Sequence, residues 1–170
     1  HVPHKAREYR VLQLKALVEI RNEYKEFEHD DRVLFELGYK IESRSFDLDP
    51  GSAELSTYRE RSRLFFMELI EHHPQSEFVP AAWFFIGEQH LFDSGDPVQA
   101  LSAYTAGSHE TSDLAPYTLD RIARCHFAMS NPEQARASWQ RAVEIARERE
   151  LDDELVEALI ESARFADDPE

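Results

Sequence analysis

The apolar positions of this chain recur at helical spacing along most of its length. Val11, Leu14, Leu17, Val18 and Tyr24, widened by Ile20 and Phe27, form one stripe and predict a helix over 4–29. Leu34, Leu37, Gly38 and Ile41, flanked by Phe35 and Tyr39, predict a second over 32–44, with Asp30-Asp31 as its N-cap candidates. Tyr58, Leu64, Phe65, Phe66, Leu69 and Ile70 predict a third over 54–73. Pro74 stops it, because proline drives its predecessor out of the helical region. Between the second and third helices lies Asp49-Pro50-Gly51-Ser52, where Pro sets φ and Gly accepts a positive one. The stretch 45–53 is therefore expected to be a surface loop longer than the others.

Five more helices follow from the same pattern, over 80–93, 97–108, 116–129, 132–149 and 152–165. Pro80, Pro116 and Pro132 stand where helices begin, a position that tolerates the missing N–H. The pattern then repeats itself. Gly95-Asp96-Pro97 returns as Ser130-Asn131-Pro132, Ala100 as Ala135 and Tyr104 as Trp139, each displaced by 35 residues. A period near this length with two helices per unit predicts a helical solenoid. Such proteins work through an extended surface.

The repeated positions resemble those of the tetratricopeptide repeat family, a helix-turn-helix unit of about 34 residues. The second-helix triplets are Ala100/Tyr104/Gly107 and Ala135/Trp139/Ala142, with a looser Ser62/Phe66/Leu69 closing on Pro74. The small first-helix positions are Gly38, Gly87, Ala123 and Ala158. A glycine inside a helix costs about 1 kcal/mol relative to alanine, so Gly38 is read as a close approach of a neighbouring helix. The first unit departs from the pattern by an insertion around Asp49-Pro50, and the unit over 82–107 has one extra residue between its two halves.

The resemblance implies an all-α protein of seven or eight helices, paired antiparallel and stacked as a short right-handed superhelix. Residues 1–29 fall outside the repeats. They are expected to cap the array at 30–79, 80–114 and 115–150, or to pair with another chain through their apolar stripe. The helix over 151–170 reads as a cap or as a cut repeat. The run from Phe65 to Tyr104, with its Pro74-Gln75-Ser76 linker, further resembles repeats of bacterial cell-envelope scaffold proteins. That likeness implies a non-enzymatic scaffold or adaptor, periplasmic or associated with the outer membrane. A cytoplasmic regulator or chaperone-like binder is the alternative.

Charge narrows the partners. The formal net charge is −15, which excludes a nucleic-acid backbone or an anionic membrane surface as the main partner. The imbalance is concentrated at one end. Residues 147–170 carry 3 basic and 10 acidic side chains, against 6 and 5 in residues 1–29. A basic protein or peptide suits that acidic end. No apolar run approaches the ~20 residues of a membrane span. The chain begins at His1, and is expected to be a processed protein or a piece of a longer one.

Candidate chemistry changes little. Eight histidines invite a metal reading, but adjacent His72 and His73 diverge by about 100° on a helix, and no paired Cys or His spacing converges. Neither a metal nor a cofactor is expected. Phosphate loop, nucleophile elbow and Cys–His motifs are lacking, so no enzymatic activity is expected. Cys125 lies among helical apolar positions and reads as a small packed side chain.

The resemblance instead implies a concave groove lined by the first helix of each unit. Motif alignment carries that role to Phe35 and Tyr39, then Phe84 and Glu88, then Asp120, Arg124 and Phe127. The competing reading makes the three phenylalanines core residues and the three charged groups an ordinary solvated face. As a groove residue, Arg124 would clasp a carboxylate in two-pronged fashion.

Overall fold

The computed structural model describes residues 4–23, 29–45 and 52–165, and among them it is helical with no strand. Eight α-helices run in order: α1 His4–Glu23, α2 Asp30–Ser45, α3 Ala53–His72, α4 Val79–Glu88, α5 Pro97–Gly107, α6 Ala115–Ala128, α7 Pro132–Glu148 and α8 Asp153–Phe165. A π-helical turn, Gln89–Asp93, prolongs α4. The all-α expectation and the number of helices hold. Most helix boundaries fall within two residues of the sequence pattern. The predicted extension of the first helix over 24–28 and the turn at 49–51 lie outside the described residues.

One boundary and one helix face are corrected in detail. The helix α2 starts at Asp30, and the Val33 N–H bonds to the His29 carbonyl 3.1 Å away. Asp30 and Asp31 thus sit inside the first turn, where carboxylates complement the helix dipole, rather than at its cap. On α1, Leu14, Leu17 and Ile20 are partly buried while Leu12 and Val18 are exposed, so the inward stripe is narrower than the sequence pattern.

The chain divides into two compact units, His1–Ala82 and Trp83–Glu170. In the first, α2 packs on α1 and α3 around Val33, Leu34, Leu37, Phe66 and Leu69. Phe66 fills the space over Gly38, whose absent Cβ would stand 2.6 Å from the ring. The Ser62 hydroxyl donates to the Gly38 carbonyl at 3.0 Å. Arg21 of α1 bridges Asp30 and Glu68, and Arg59 pairs with the buried Glu42.

In the second unit α6 packs on α5 and α7, and α7 packs on α8. Trp139 and Ala123 share a core with Ala135, Ala142, Val143, Ala146, Val156 and Leu159. Tyr104 and Ala100 share another with Ile122 and Cys125. The same contact therefore occurs in two helix pairs, Gly38 under Phe66 and Gly87 under Tyr104, and at the corresponding positions of a third pair Ala123 and Trp139 share one core. A small residue on the first helix admits an aromatic from the second, and close approach of the two helices depends on it.

The turns repeat as well. Gly95 (φ 62°) and Ser130 (φ 61°) adopt the same left-handed conformation at equivalent positions. After α6, Asn131 N–H bonds to the His126 carbonyl and Ser130 N–H to that of Phe127, both at 2.9 Å, a Schellman closure. After α7, Glu150 (φ 53°) and Leu151 close the helix in the same way on Arg147 and Ala146.

After the π-turn the corresponding bond reaches back from Asp96 to His90, six residues rather than five. The extra residue of the 82–107 unit is thus absorbed by the π-turn, the usual way a helix accommodates one inserted residue. Seventeen residues separate Gly87 from Tyr104 and sixteen separate Ala123 from Trp139, yet Gly87 meets Tyr104 and Ala123 shares a core with Trp139.

Candidate binding cleft

The π-turn presents Phe92 outward, 64% exposed, although the sequence pattern counts it among the apolar residues of its helix. Beside it, α6 carries Arg121, Arg124, Phe127 and Ala128. Together with Leu91, Trp139 of α7, and Glu161 and Ser162 of α8, these residues line an open cleft of about 730 Å3. Its walls come from α6, α8, Trp139 of α7 and the π-helical extension of α4. Most of its lining is aromatic or aliphatic, and its charged groups are two arginines and one glutamate.

The arginines are held from behind. Arg121 Nε donates to Glu88 Oε1 at 2.6 Å and its Nη1 to Asp120 Oδ2 at 2.9 Å. Its guanidinium carbon lies 5.5 Å from the centre of the Phe92 ring, a cation–π contact. Burial opposes the charge on Arg121, but the hydrogen bond and charge of Glu88, with Asp120, keep its pKa above the usual arginine value. Glu88 also accepts from the Tyr104 hydroxyl at 2.6 Å. Burial and this carboxylate together push the tyrosine pKa well above its ordinary range.

Asp120 is 8% exposed and accepts from Trp139 Nε1 at 2.9 Å, from Arg121 and from Arg124 Nε at 2.8 Å. A buried carboxylate needs such donors, since an unpaired one is costly. The three bonds also fix the indole and both guanidinium planes. Arg124 differs from Arg121. Its side chain is 51% exposed, and its terminal nitrogens have no partner among the described residues.

The seven residues aligned from the sequence are therefore distributed as follows. Phe35 and Tyr39 lie in the first unit, where Phe35 stacks on Phe78 at 5.0 Å and on Tyr39 at 6.2 Å. Phe84 packs on Tyr104 at 5.7 Å and edge-on to Phe85. Glu88 and Asp120 belong to the ion-pair network and reach the cleft through the arginines. Arg124 and Phe127 line it directly, with Phe127 tilted on Trp139 at 6.3 Å.

Sequence reasoning missed Arg121, Phe92 and Glu161 as cleft residues. The signal for the first two was present as departures from the repeat. Arg121 replaces Phe85 of the preceding unit, and Phe92 lies in the stretch that carries the extra residue.

The linkers show a second missed signal. His73, Ser76, Phe78 and Pro80 return 36 residues later as His109, Ser112, Leu114 and Pro116. Both segments fold alike: the Ser76 and Ser112 hydroxyls accept from the N–H of Phe78 and Leu114, at 3.3 and 3.2 Å. Each linker is also tied to a distant residue of its own compact unit, in α2 or at the C-cap of α7. Ser76 donates to Asp31 at 2.6 Å, while Arg149 donates to the carbonyls of Ser112 and Glu110.

Among the described residues, no group of three or more His, Cys, Asp or Glu side chains is arranged to hold a metal ion. Nor is any helix among them long and apolar enough to cross a membrane. The chain matches no family model, no curated protein and no solved structure at a significant level.

Proposed function

We propose that this chain is a non-enzymatic interaction module. In this reading it is a short right-handed solenoid of tetratricopeptide-type helix pairs, and it binds a partner protein or peptide in the groove of its first helices. One observation carries the reading: α6, α8 and the π-extension of α4 contribute to a single open cleft, walled by aromatics and edged by a half-exposed arginine. The small-residue/aromatic contact of two helix pairs, with Ala123 and Trp139 sharing a core in a third, supports the repeat assignment. The polar groups at the cleft favour binding over chemistry, because Glu88, Asp120 and Arg121 bond to one another rather than converging on a substrate position.

The setting we favour is a bacterial cell-envelope assembly, on the likeness of the Pro74-Gln75-Ser76 linker and its neighbouring helices. The test is a comparative pull-down from envelope and soluble fractions. The parent chain is set against a Phe92→Ala/Arg124→Ala variant whose helicity and melting are first shown to be intact. The expected result is a component of the envelope fraction retained by the parent and lost by the variant. Equal retention by both would move the binding surface elsewhere on the chain.

A further inference from the structure

The chemistry of the cleft narrows what it can hold, given the interaction reading above. Arg124 is the one cleft cation with free donors. Its Nε is bound to Asp120, which fixes the plane of the guanidinium, while its two terminal nitrogens have no partner among the described residues. A guanidinium fixed on one edge presents the other as a ready fork for a carboxylate. Phe127 stands one helical turn away on the same helix, about 5–6 Å between Cβ atoms. Phe92 and Trp139 complete an apolar pocket beside it.

The opposite wall sets a limit. Glu161 of α8 lines the same cleft, and the chain as a whole carries a net −15. Both oppose a run of acidic residues. The lining residues of α6 and α8 also lie within helices, where backbone N–H groups are already bonded, so no free amide cluster exists to capture a chain terminus.

We infer that the cleft recognises an internal peptide segment with one bulky apolar side chain and a single Asp or Glu within four residues of it, in an otherwise neutral or basic context. The apolar side chain enters between Phe92, Phe127 and Trp139, and the carboxylate pairs with the free edge of Arg124. A basic partner is thus compatible with an acid-reading site.

The test is a selection of random short segments, displayed with both ends fused, on the full chain and on Arg124→Gln. The expected consensus on the parent is an apolar residue with one nearby acid. Changing that acid to its amide weakens binding roughly tenfold on the parent and no more than about twofold on Arg124→Gln, the loss of one charge-assisted pair. Phe92→Ala keeps the acid preference and relaxes the choice of apolar residue. A consensus without an acid, or one whose acid preference survives Arg124→Gln, overturns the inference and leaves groove binding standing. So does tighter binding when the same segment is cut to end in a free carboxylate. Selected segments whose binding ignores both Phe92→Ala and Arg124→Gln overturn the groove reading itself, and no enrichment at all overturns the inference.

Discussion

Gly87 lies directly against the ring of Tyr104: a Cβ at Gly87 would stand 2.4 Å from Tyr104 Cε1. Gly38 stands in the same relation to Phe66, at 2.6 Å. Both rings are fully buried and cannot swing aside. Alanine at either glycine gains up to ~1 kcal/mol in helix propensity but overpacks the pair, at a cost of about 1–3 kcal/mol. We therefore expect Gly87→Ala and Gly38→Ala each to lower the melting temperature, against the propensity scale. A rise in melting temperature would show that the helices separate freely at this contact.

The turn residues make the opposite prediction. Ser130 and Glu150 hold positive φ without being glycine, which costs an L-residue about 1–2 kcal/mol. Glycine removes that strain and gives back part of it as unfolded-state entropy. Ser130→Gly and Glu150→Gly are each expected to stabilise by roughly 0.5–1 kcal/mol, or about 1–4 °C in melting temperature for a chain of this size. Gly95→Ala, where nothing lies within 4 Å of the new methyl, isolates the backbone term and is expected to destabilise by about 1 kcal/mol.

Asp31 links stability to pH. Burial alone would raise its pKa, but the Ser76 hydroxyl, the Arg32 N–H and the neighbouring histidines outweigh it and hold the carboxyl below 3.8. A depressed folded pKa stabilises above the unfolded value, and the contribution is lost as pH falls through the folded one. Ser76→Ala is expected to raise the Asp31 titration midpoint, read by carboxyl NMR, and to bring acid unfolding to a higher pH. An unchanged Asp31 midpoint would mean that the linker is not held by this bond.

Cys125 is buried, and its thiol is pushed from 9.0 up to about 11 by that burial and by the charge of Glu88, against Arg121. Only the thiolate reacts. At pH 8 the folded chain is expected to react with a thiol reagent at least about 100-fold more slowly than the unfolded chain, from the thiolate fraction alone. Because the folded pKa is raised, the stabilisation from the neutral thiol is complete below pH 9.0 and fades as pH rises through about 11. Fast labelling of folded chain at pH 8 would contradict this burial.

The helix pairs were legible from Gly38, Gly87, Ala123 and their aromatic counterparts, because packing of this kind needs particular side-chain sizes at particular spacings. The π-turn was half legible: one surplus residue was visible between Gly87 and Tyr104, but its accommodation depends on backbone hydrogen bonding. The linker repeat from His73 to Pro80 escaped because it recurs at 36 residues while Ala100 and Tyr104 recur at 35. The surplus residue lies between them and breaks the register.

The network of Glu88, Tyr104, Arg121, Asp120 and Trp139 was not legible as a network. Its members are acidic, basic and aromatic residues on four helices. Which carboxylate meets which guanidinium is decided by helix rotation, which a pattern of apolar positions sets only coarsely. Glu88 and Asp120 therefore read alike as exposed groove residues, although the structure commits both to internal bonds.

The most direct test of the binding account is a photo-crosslinking residue placed at Phe92 and, separately, at Ala128, with Leu64 and Leu12 as exposed apolar controls, in the cells from which the chain comes. The account predicts one discrete adduct shared by positions 92 and 128 and absent from positions 64 and 12. An adduct from 64 or 12 with none from 92 and 128 would contradict it and move the interface away from the cleft.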